Sequence, residues 1–210
     1  MTASPVKRRR GRPPKVPRDD HDTRAALIRS GTELLTEQGF MASGIDGILK
    51  RVGVPKGSFY YYFDSKEAFG QAVMAHYGAY FAHKLDRHLL NVELAPLARI
   101  EAFVDDAKRG MARHDFQRGC LVGNLGQEVG SLPEAYRQWL RETLEAWRQR
   151  LARCLQEAQE RGELARSADV DRLADAFWIG WEGAVMRARL ERSVRPMEVF
   201  LECYLEGLPR

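Results

Sequence analysis

The sequence predicts an all-α fold, and three observations carry the prediction. Apolar residues recur every three to four positions along one segment after another, Gly and Pro fall mostly between those segments, and β-branched clusters are few. With 210 residues and 44% hydrophobic composition, the chain can bury a sizeable core in one large or two small domains. No internal repeat is visible.

Asp22 to Gln38 carries Ala26, Leu27, Leu34 and Leu35 in a helical pattern and stops at Gly39, a glycine C-cap. Phe40 is placed to plug the junction with the next helix. Ile45 to Val52 forms that helix, with Ser43 as its expected N-cap and a phosphate contact as the alternative use of the hydroxyl. It halts at Gly53-Val54-Pro55, where glycine permits φ > 0 and proline suits the first turn of a new helix. Lys56 to Phe63 restarts at once. Helix, tight turn and second helix are the geometry that lays the second helix in a DNA major groove.

Phe59 and Phe63, spaced i, i+4, make the buried stripe of that second helix. Lys56, Gly57, Ser58, Tyr60, Tyr61 and Tyr62 are left for its flanks and outer face, because three consecutive tyrosines cannot all point inward. A tyrosine ring packs on sugar or a thymine methyl while its hydroxyl bonds a phosphate. Lys56 and Lys66 bracket the helix, each placed to neutralise a phosphate. The competing reading is a helical hairpin with a tyrosine-rich packing face, which the flanking lysines disfavour.

Beyond it, Asp64 or Ser65 caps a long helix from Lys66 to about Leu90, patterned by Phe69, Val73, Tyr77, Tyr80 and Leu85. Pro96 opens a helix to about His114. Asp115 to Leu132 contains Gly119, Gly123, Gly126 and Gly130, and each glycine costs on the order of 1 kcal/mol in a helix interior. A short, adaptable helix pressed against neighbours or a ligand is expected there. Pro133 restarts a long helix that ends near Gly162. Val170 to Arg192 follows, and Pro196 opens the last. Gly180, Gly183 and Ala184 are small enough for close helix approach, either with a symmetry mate in a four-helix bundle or within the chain's own core.

Charge is unevenly spread. Residues 1–18 hold seven basic residues and no acid while the whole chain nets +4, so residues 19–210 net −3. DNA binding therefore has to rest on local basic groups rather than a global field. Residues 1–21 are too polar to build a core and are expected to be disordered. Within them Arg10-Gly11-Arg12-Pro13 is similar to an AT-hook, in which Arg10 and Arg12 enter a narrow A·T minor groove. An unspecific polybasic tail is the alternative. Three cysteines, at 120, 154 and 203, make a disulfide framework improbable and favour a reducing cytoplasm, on the nucleoid if DNA is the partner. No secretion signal, apolar membrane run, metal-ligand spacing or nucleotide-binding loop is found, so no cofactor or membrane partner is expected.

VPKGSFYYYFDSKEAF, residues 54–69, resembles the recognition-helix signature of the TetR family of bacterial one-component regulators. The likeness extends over a helix-turn-helix unit at residues 22–69. RGCLVGNLGQE (118–128) and FWIGWEGAVMRARLE (177–191) resemble a subgroup of TetR-like repressors that respond to acrylate or to reactive electrophiles. The resemblance implies a ligand-binding and dimerising domain at residues 70–210, a homodimer on a palindromic double-stranded operator, and release of that operator on binding a small effector. Related electrophile-responsive repressors carry a cysteine matching Cys120. Two roles then stand for it: a sensing thiolate activated by Arg118 or Arg189, or a small buried residue. Tyr77, Phe81, Phe103, Asn124, Trp178, Trp181 and Glu182 are candidate pocket residues, and Arg189 or Lys108 is the candidate cation for a carboxylate such as acrylate. The rival class is an architectural DNA-binding protein with no effector, and measuring whether a small molecule saturably changes DNA affinity separates the two. A Cys120/His114 hydrolase rests on sequence proximity alone and is disfavoured.

Overall fold

The computed structural model describes residues 20–210, so the N-terminal arm with Arg10 and Arg12 lies outside the described residues. Among the described residues the chain is all-α, as the periodicity predicts. It forms α1 (Asp20–Gln38), α2 (Ile45–Val52), α3 (Phe59–Tyr62), α4 (Lys66–Leu89), α5 (Pro96–Arg113), α6 (Leu121–Gln127), α7 (Glu134–Glu160), α8 (Val170–Glu191) and α9 (Arg195–Glu206). None of these helices is long and apolar enough to cross a membrane.

The first three helices turn where the sequence places its special residues. Gly39 and Gly53 adopt φ of 81° and 71°, which a side chain would strain, and their N–H groups close onto Leu35 and Leu49 carbonyls. Pro55 then starts a 3-10 turn at Lys56–Ser58 that runs into the four residues of α3. The recognition segment is shorter than the uninterrupted helix to Phe63 that spacing implies. Phe63 is extended, at φ −142° and ψ 129°, so that its ring turns back on Phe59 and Phe69 at 5.5 and 5.0 Å. Phe69 in turn presses against α1 where Gly31 leaves room for its ring. Ser65, not Asp64, caps α4, its Oγ accepting from Ala68 N at 3.0 Å.

Helix α4 carries buried residues from Phe69 to Leu89 and packs on α1 at one end and on α5 and α7 beyond. The C-terminal helices close around a chain of rings: Phe81 and Trp147 lie 4.3 Å apart, Trp147 and Trp178 5.0 Å, and Phe103 and Trp181 5.3 Å. Arg99, fully buried, ties the far end together. It donates to the Leu89 and Leu94 carbonyls and pairs with Glu157 at 2.7 Å. Of the small residues on α8, Gly180 is occupied from within, because the ring of Phe200 on α9 fills the space of its missing side chain. Gly183 faces open space, flanked along α8 by exposed Ile179, Met186 and Leu190.

Candidate functional site

Two surfaces emerge, joined by hydrogen bonds through the end of α1. The first is the outer face of α2 and α3. Lys56, Gly57, Tyr60 and Tyr61 are exposed there, Tyr60 by 61% and Tyr61 by 71%, while Ser58 and Tyr62 are half-buried. Phe59 and Phe63 are buried beneath, as the i, i+4 spacing demands. Lys56 Nζ lies 3.0 Å from Asp46, an exposed pair of little energetic weight that leaves the amine accessible. Lys50, not anticipated from the sequence, is exposed on α2.

Two expected DNA contacts have other partners. Ser43 is 1% exposed and donates to the Gly39 carbonyl at 2.5 Å, so its hydroxyl serves neither as N-cap nor for phosphate. Gly44 takes the N-cap position of α2 without any side-chain bond. Lys66 Nζ donates to the Phe40 carbonyl at 2.9 Å and sits 4.4 Å from the Phe40 ring centroid. A carbonyl and a ring face are both favourable sites for an ammonium group, so Lys66 locks the α1–α2 corner onto α4.

The second surface is a cavity of about 270 Å³ between the start of α6 and the outer face of α8. Cys120, Asn124, Glu182 and Arg189 all line it, four of the residues singled out from the sequence. Gln127, Ile179 and Met186 also line it and were missed, since nothing in their pattern separates them from an ordinary helix surface. Phe81, Phe103 and Trp181 are corrected from pocket to core: they are 9%, 1% and 3% exposed and packed ring against ring. Trp178 is core on one side and lines an adjoining α7/α8 groove on the other, with its indole Nε1 buried and unpartnered. Tyr77 contributes through its hydroxyl, which donates to Cys120 Sγ at 3.6 Å. Lys108 pairs with Asp105 and Glu198 and is not a cavity residue.

The electrostatics of Cys120 differ from the expectation of an arginine-activated thiolate. Burial, and then the Glu182 carboxylate, push its thiol well above the usual range. Arg118 is held by Glu33 and Glu37, both at 3.3 Å. Arg189 is held by Asn124 Oδ1 and the Glu37 carbonyl. Burial likewise lifts the Glu182 carboxyl to about 7, moderated by the neighbouring Cys120 thiol. Gly123 makes this packing possible, since a Cβ there would collide with the Glu182 carboxylate.

The cavity wall also satisfies the end of α1. A helix C-terminus leaves carbonyls without partners. Here Asn124 Nδ2 donates to the Leu35 and Thr36 carbonyls at 3.1 and 2.9 Å, Gly119 N to Thr36 at 3.0 Å, and Arg189 to Glu37. Just past the helix, the Glu128 carboxylate accepts from Phe40 N at 2.8 Å and Met41 N at 3.2 Å. Gly39 is needed for contact as well as for turn geometry, because a Cβ would meet that carboxylate.

A helix-turn-helix with an aromatic and basic outer face, bonded to a cavity-bearing helical domain, defines a DNA-binding regulator. Residues 27–73 match "Bacterial regulatory proteins, tetR family", and residues 96–204 match "Tetracyclin repressor-like, C-terminal domain". The chain belongs to the TetR family of bacterial transcriptional regulators. It is 52% identical over 95% of its length, and 91% of the relative's, to the transcriptional regulator AcuR of Cereibacter sphaeroides. The crystal structure of a TetR regulatory protein from Rhodobacter sphaeroides superposes with a TM-score of 0.86 at 50% identity, covering 89% of this chain and 98% of that one. The reduced form of Escherichia coli NemR, whose curated description is a transcriptional repressor, superposes at 0.81 with 32% identity, covering 90% and 97%.

Proposed function

We propose that this chain is a dimeric repressor that occupies a palindromic operator and releases it when a small effector, acrylate or another electrophile, enters the cavity at Cys120. Residues 22–69 act as its reading head, residues 70–210 as its effector and dimer domain, and residues 1–21 as an arm along the DNA, in the cytoplasm on the nucleoid. The observation that carries the reading is the set of bonds from Asn124, Gly119, Arg189 and Glu128 to the end of α1. Any ligand that displaces α6 or α8 displaces partners of the head's first helix.

A ligand that binds the cavity more tightly in one placement of α6 and α8 than in another biases one arrangement of the head against the other. In a dimer that difference appears as a changed separation of two recognition helices, which must fit successive major grooves about 34 Å apart. Coupling of about 1–3 kcal/mol, typical of two-site linkage, changes operator affinity roughly 5- to 150-fold.

The test is operator release on titrating acrylate, acrylamide and N-ethylmaleimide against the wild type, Cys120→Ser and Asn124→Leu. Wild type should release, Cys120→Ser should resist the alkylating reagents, and Asn124→Leu should need more reagent because its links to Leu35 and Thr36 are gone. Release from Cys120→Ser at unchanged concentrations of all three would remove covalent sensing. No release from wild type by any reagent would remove the effector class itself.

A further inference from the structure

Within the cavity, Glu182 has an unusual position for an acid. Its Oε1 is buried without a hydrogen-bond partner, its carboxylate fills the space left by Gly123, and that same space adjoins Cys120 Cβ. Cys120 and the Glu182 carboxylate thus border the same small space on the cavity wall, and the Tyr77 hydroxyl donates to the sulfur at 3.6 Å from the other side. We propose that Glu182 takes the thiol proton of Cys120 as the sulfur adds to the β-carbon of an uncharged α,β-unsaturated carbonyl compound. This rests on the reading of the cavity as the effector site and deepens it, choosing an uncharged electrophile over acrylate as the effector that fits better.

Chemically the step is a conjugate addition. The Cys120 Sγ–C bond forms at the β-carbon, and the π pair of the C=C bond moves towards the α-carbon and carbonyl. The proton that Glu182 has taken is then delivered to the α-carbon. The product is a thioether, no group leaves, and no oxidant or reductant is consumed. A standing thiolate does not supply this reaction, because burial and Glu182 hold the thiol in its protonated form. A proton acceptor poised near neutrality does, and Glu182 titrates at about 7.

Selectivity for neutral compounds follows from the other charges. Arg189 donates through both Nη atoms, to Asn124 Oδ1 and to the Glu37 backbone carbonyl, and Arg118 is paired with the Glu33 and Glu37 carboxylates. Arg189 keeps its charge beside the cavity, but both its Nη atoms already donate to neutral acceptors, so a ligand carboxylate would have to share them while standing beside the Glu182 carboxylate, whereas an amide, ester, aldehyde or ketone would not. The titratable or charged groups around Glu182 are Cys120 and Arg189 in the cavity, Tyr77 on α4 behind Cys120 and, around the adjoining groove, Arg141, Glu142, Glu145, Arg148 and Asp175. Of these only Cys120 contributes to the position of the Glu182 titration, alongside burial.

The experiment is alkylation of Cys120 by acrylamide and by acrylate, followed by mass spectrometry of the Cys120 peptide so that exposed Cys203 does not contribute. Full-length wild type, Glu182→Gln and Glu182→Asp are compared between about pH 5.5 and 9, with a small thiol as the reference for each reagent's intrinsic reactivity. The acrylamide rate in wild type should climb through a midpoint near 7. Glu182→Gln should lose that midpoint and slow by about 100-fold, while Glu182→Asp should keep part of both. Relative to the small thiol, acrylate should react less readily at Cys120 than acrylamide does.

A merely electrostatic role for Glu182 has the opposite sign. Removing the carboxylate would ease ionisation of the thiol and speed alkylation in Glu182→Gln. Faster or unchanged alkylation there overturns the proton-transfer assignment while leaving Cys120 as the effector's target. Equal relative reactivity of acrylate and acrylamide overturns the selectivity. If wild-type Cys120 stays unmodified while Cys203 reacts, the covalent reading of the cavity falls together with this one. The wild-type pH midpoint is read on the unmutated chain, so its absence overturns the proposal even if a variant fails to fold.

Discussion

At Glu182 the same burial that tunes the carboxyl also leaves a mark on stability. A glutamate in the unfolded chain titrates near about 4.3, and here the folded state holds its proton to about 7. Between those values the folded state binds more protons than the unfolded one. The contribution is therefore fully present below about pH 4 and is lost as pH rises through 7, a difference of roughly 2–4 kcal/mol at 1.36 kcal/mol per pH unit. Glu182→Gln removes the titrating group. It should be more stable than wild type by about that amount at pH 8, relative to the difference between the two proteins at pH 4.5. Paired denaturant titrations at equal protein concentration measure it, and a mutational effect independent of pH would refute the assignment. Single residues also show where sequence reading stops. The sequence makes Ser43 an N-cap or a phosphate contact and Lys66 a phosphate contact, yet each is consumed by a backbone carbonyl brought near by the fold.

Among the elements, α3 is only four residues long and gains its position from what lies beneath it. Phe59 and Phe63 anchor it on Phe69, and the 3-10 turn at Lys56–Ser58 sets its start. Tyr60 touches this anchor by an edge contact to Phe59 at 5.4 Å but is otherwise exposed. Tyr60→Ala should leave the unfolding temperature nearly unchanged while costing about 1–3 kcal/mol of specific operator binding, if the ring reads a base edge. Gel-shift or fluorescence titrations against operator and scrambled DNA separate the two contributions. A loss equal on both DNAs would make Tyr60 a backbone contact, and no loss would remove it from the interface. The α6 segment was legible as glycine-broken and closely packed, but its use as a cap for α1 was not. Asn124 and Glu128 carry no local sign of the Leu35, Thr36, Phe40 and Met41 groups they meet.

For the whole molecule, the exposed apolar stripe of α8 is the feature that a monomer leaves unexplained. Ile179 and Leu190 are each 77% exposed and Met186 55%, at spacings that place them on one face with Gly183. Such a stripe fits a second copy, and Ile179 and Met186 also border the cavity, so the proposed dimer surface adjoins the proposed effector site. The double variant Ile179→Asp/Leu190→Asp removes no core packing and should yield a folded monomer by light scattering. Its affinity for a two-half-site operator should fall by on the order of 100-fold or more, as the linked second contact is lost. A variant that stays dimeric would place the interface elsewhere.

What short-range forces decide can be read directly from the order of residues. Helical periodicity, the turns at Gly39 and Gly53, the Phe59/Phe63 stripe and the charge of the arm are all readable within a few residues, because capping and i, i+4 contacts act over one turn. The class of protein was readable for the same reason, since a helix-turn-helix is a local unit. Packing of distant segments, by contrast, settles which aromatic residues are core and which groups line the cavity. Phe81, Phe103 and Trp181 share the composition of a pocket, but helices from distant parts of the chain bury them against Trp147, Trp178 and Phe177. It also decided the state of Cys120. Two nearby arginines in the sequence pointed to a thiolate, whereas in space they serve Glu33, Glu37 and Asn124, and a carboxylate from α8 reaches the thiol instead. Ionisation depends on the dielectric and charges within a few ångströms, and those neighbours are chosen by packing rather than by order along the chain.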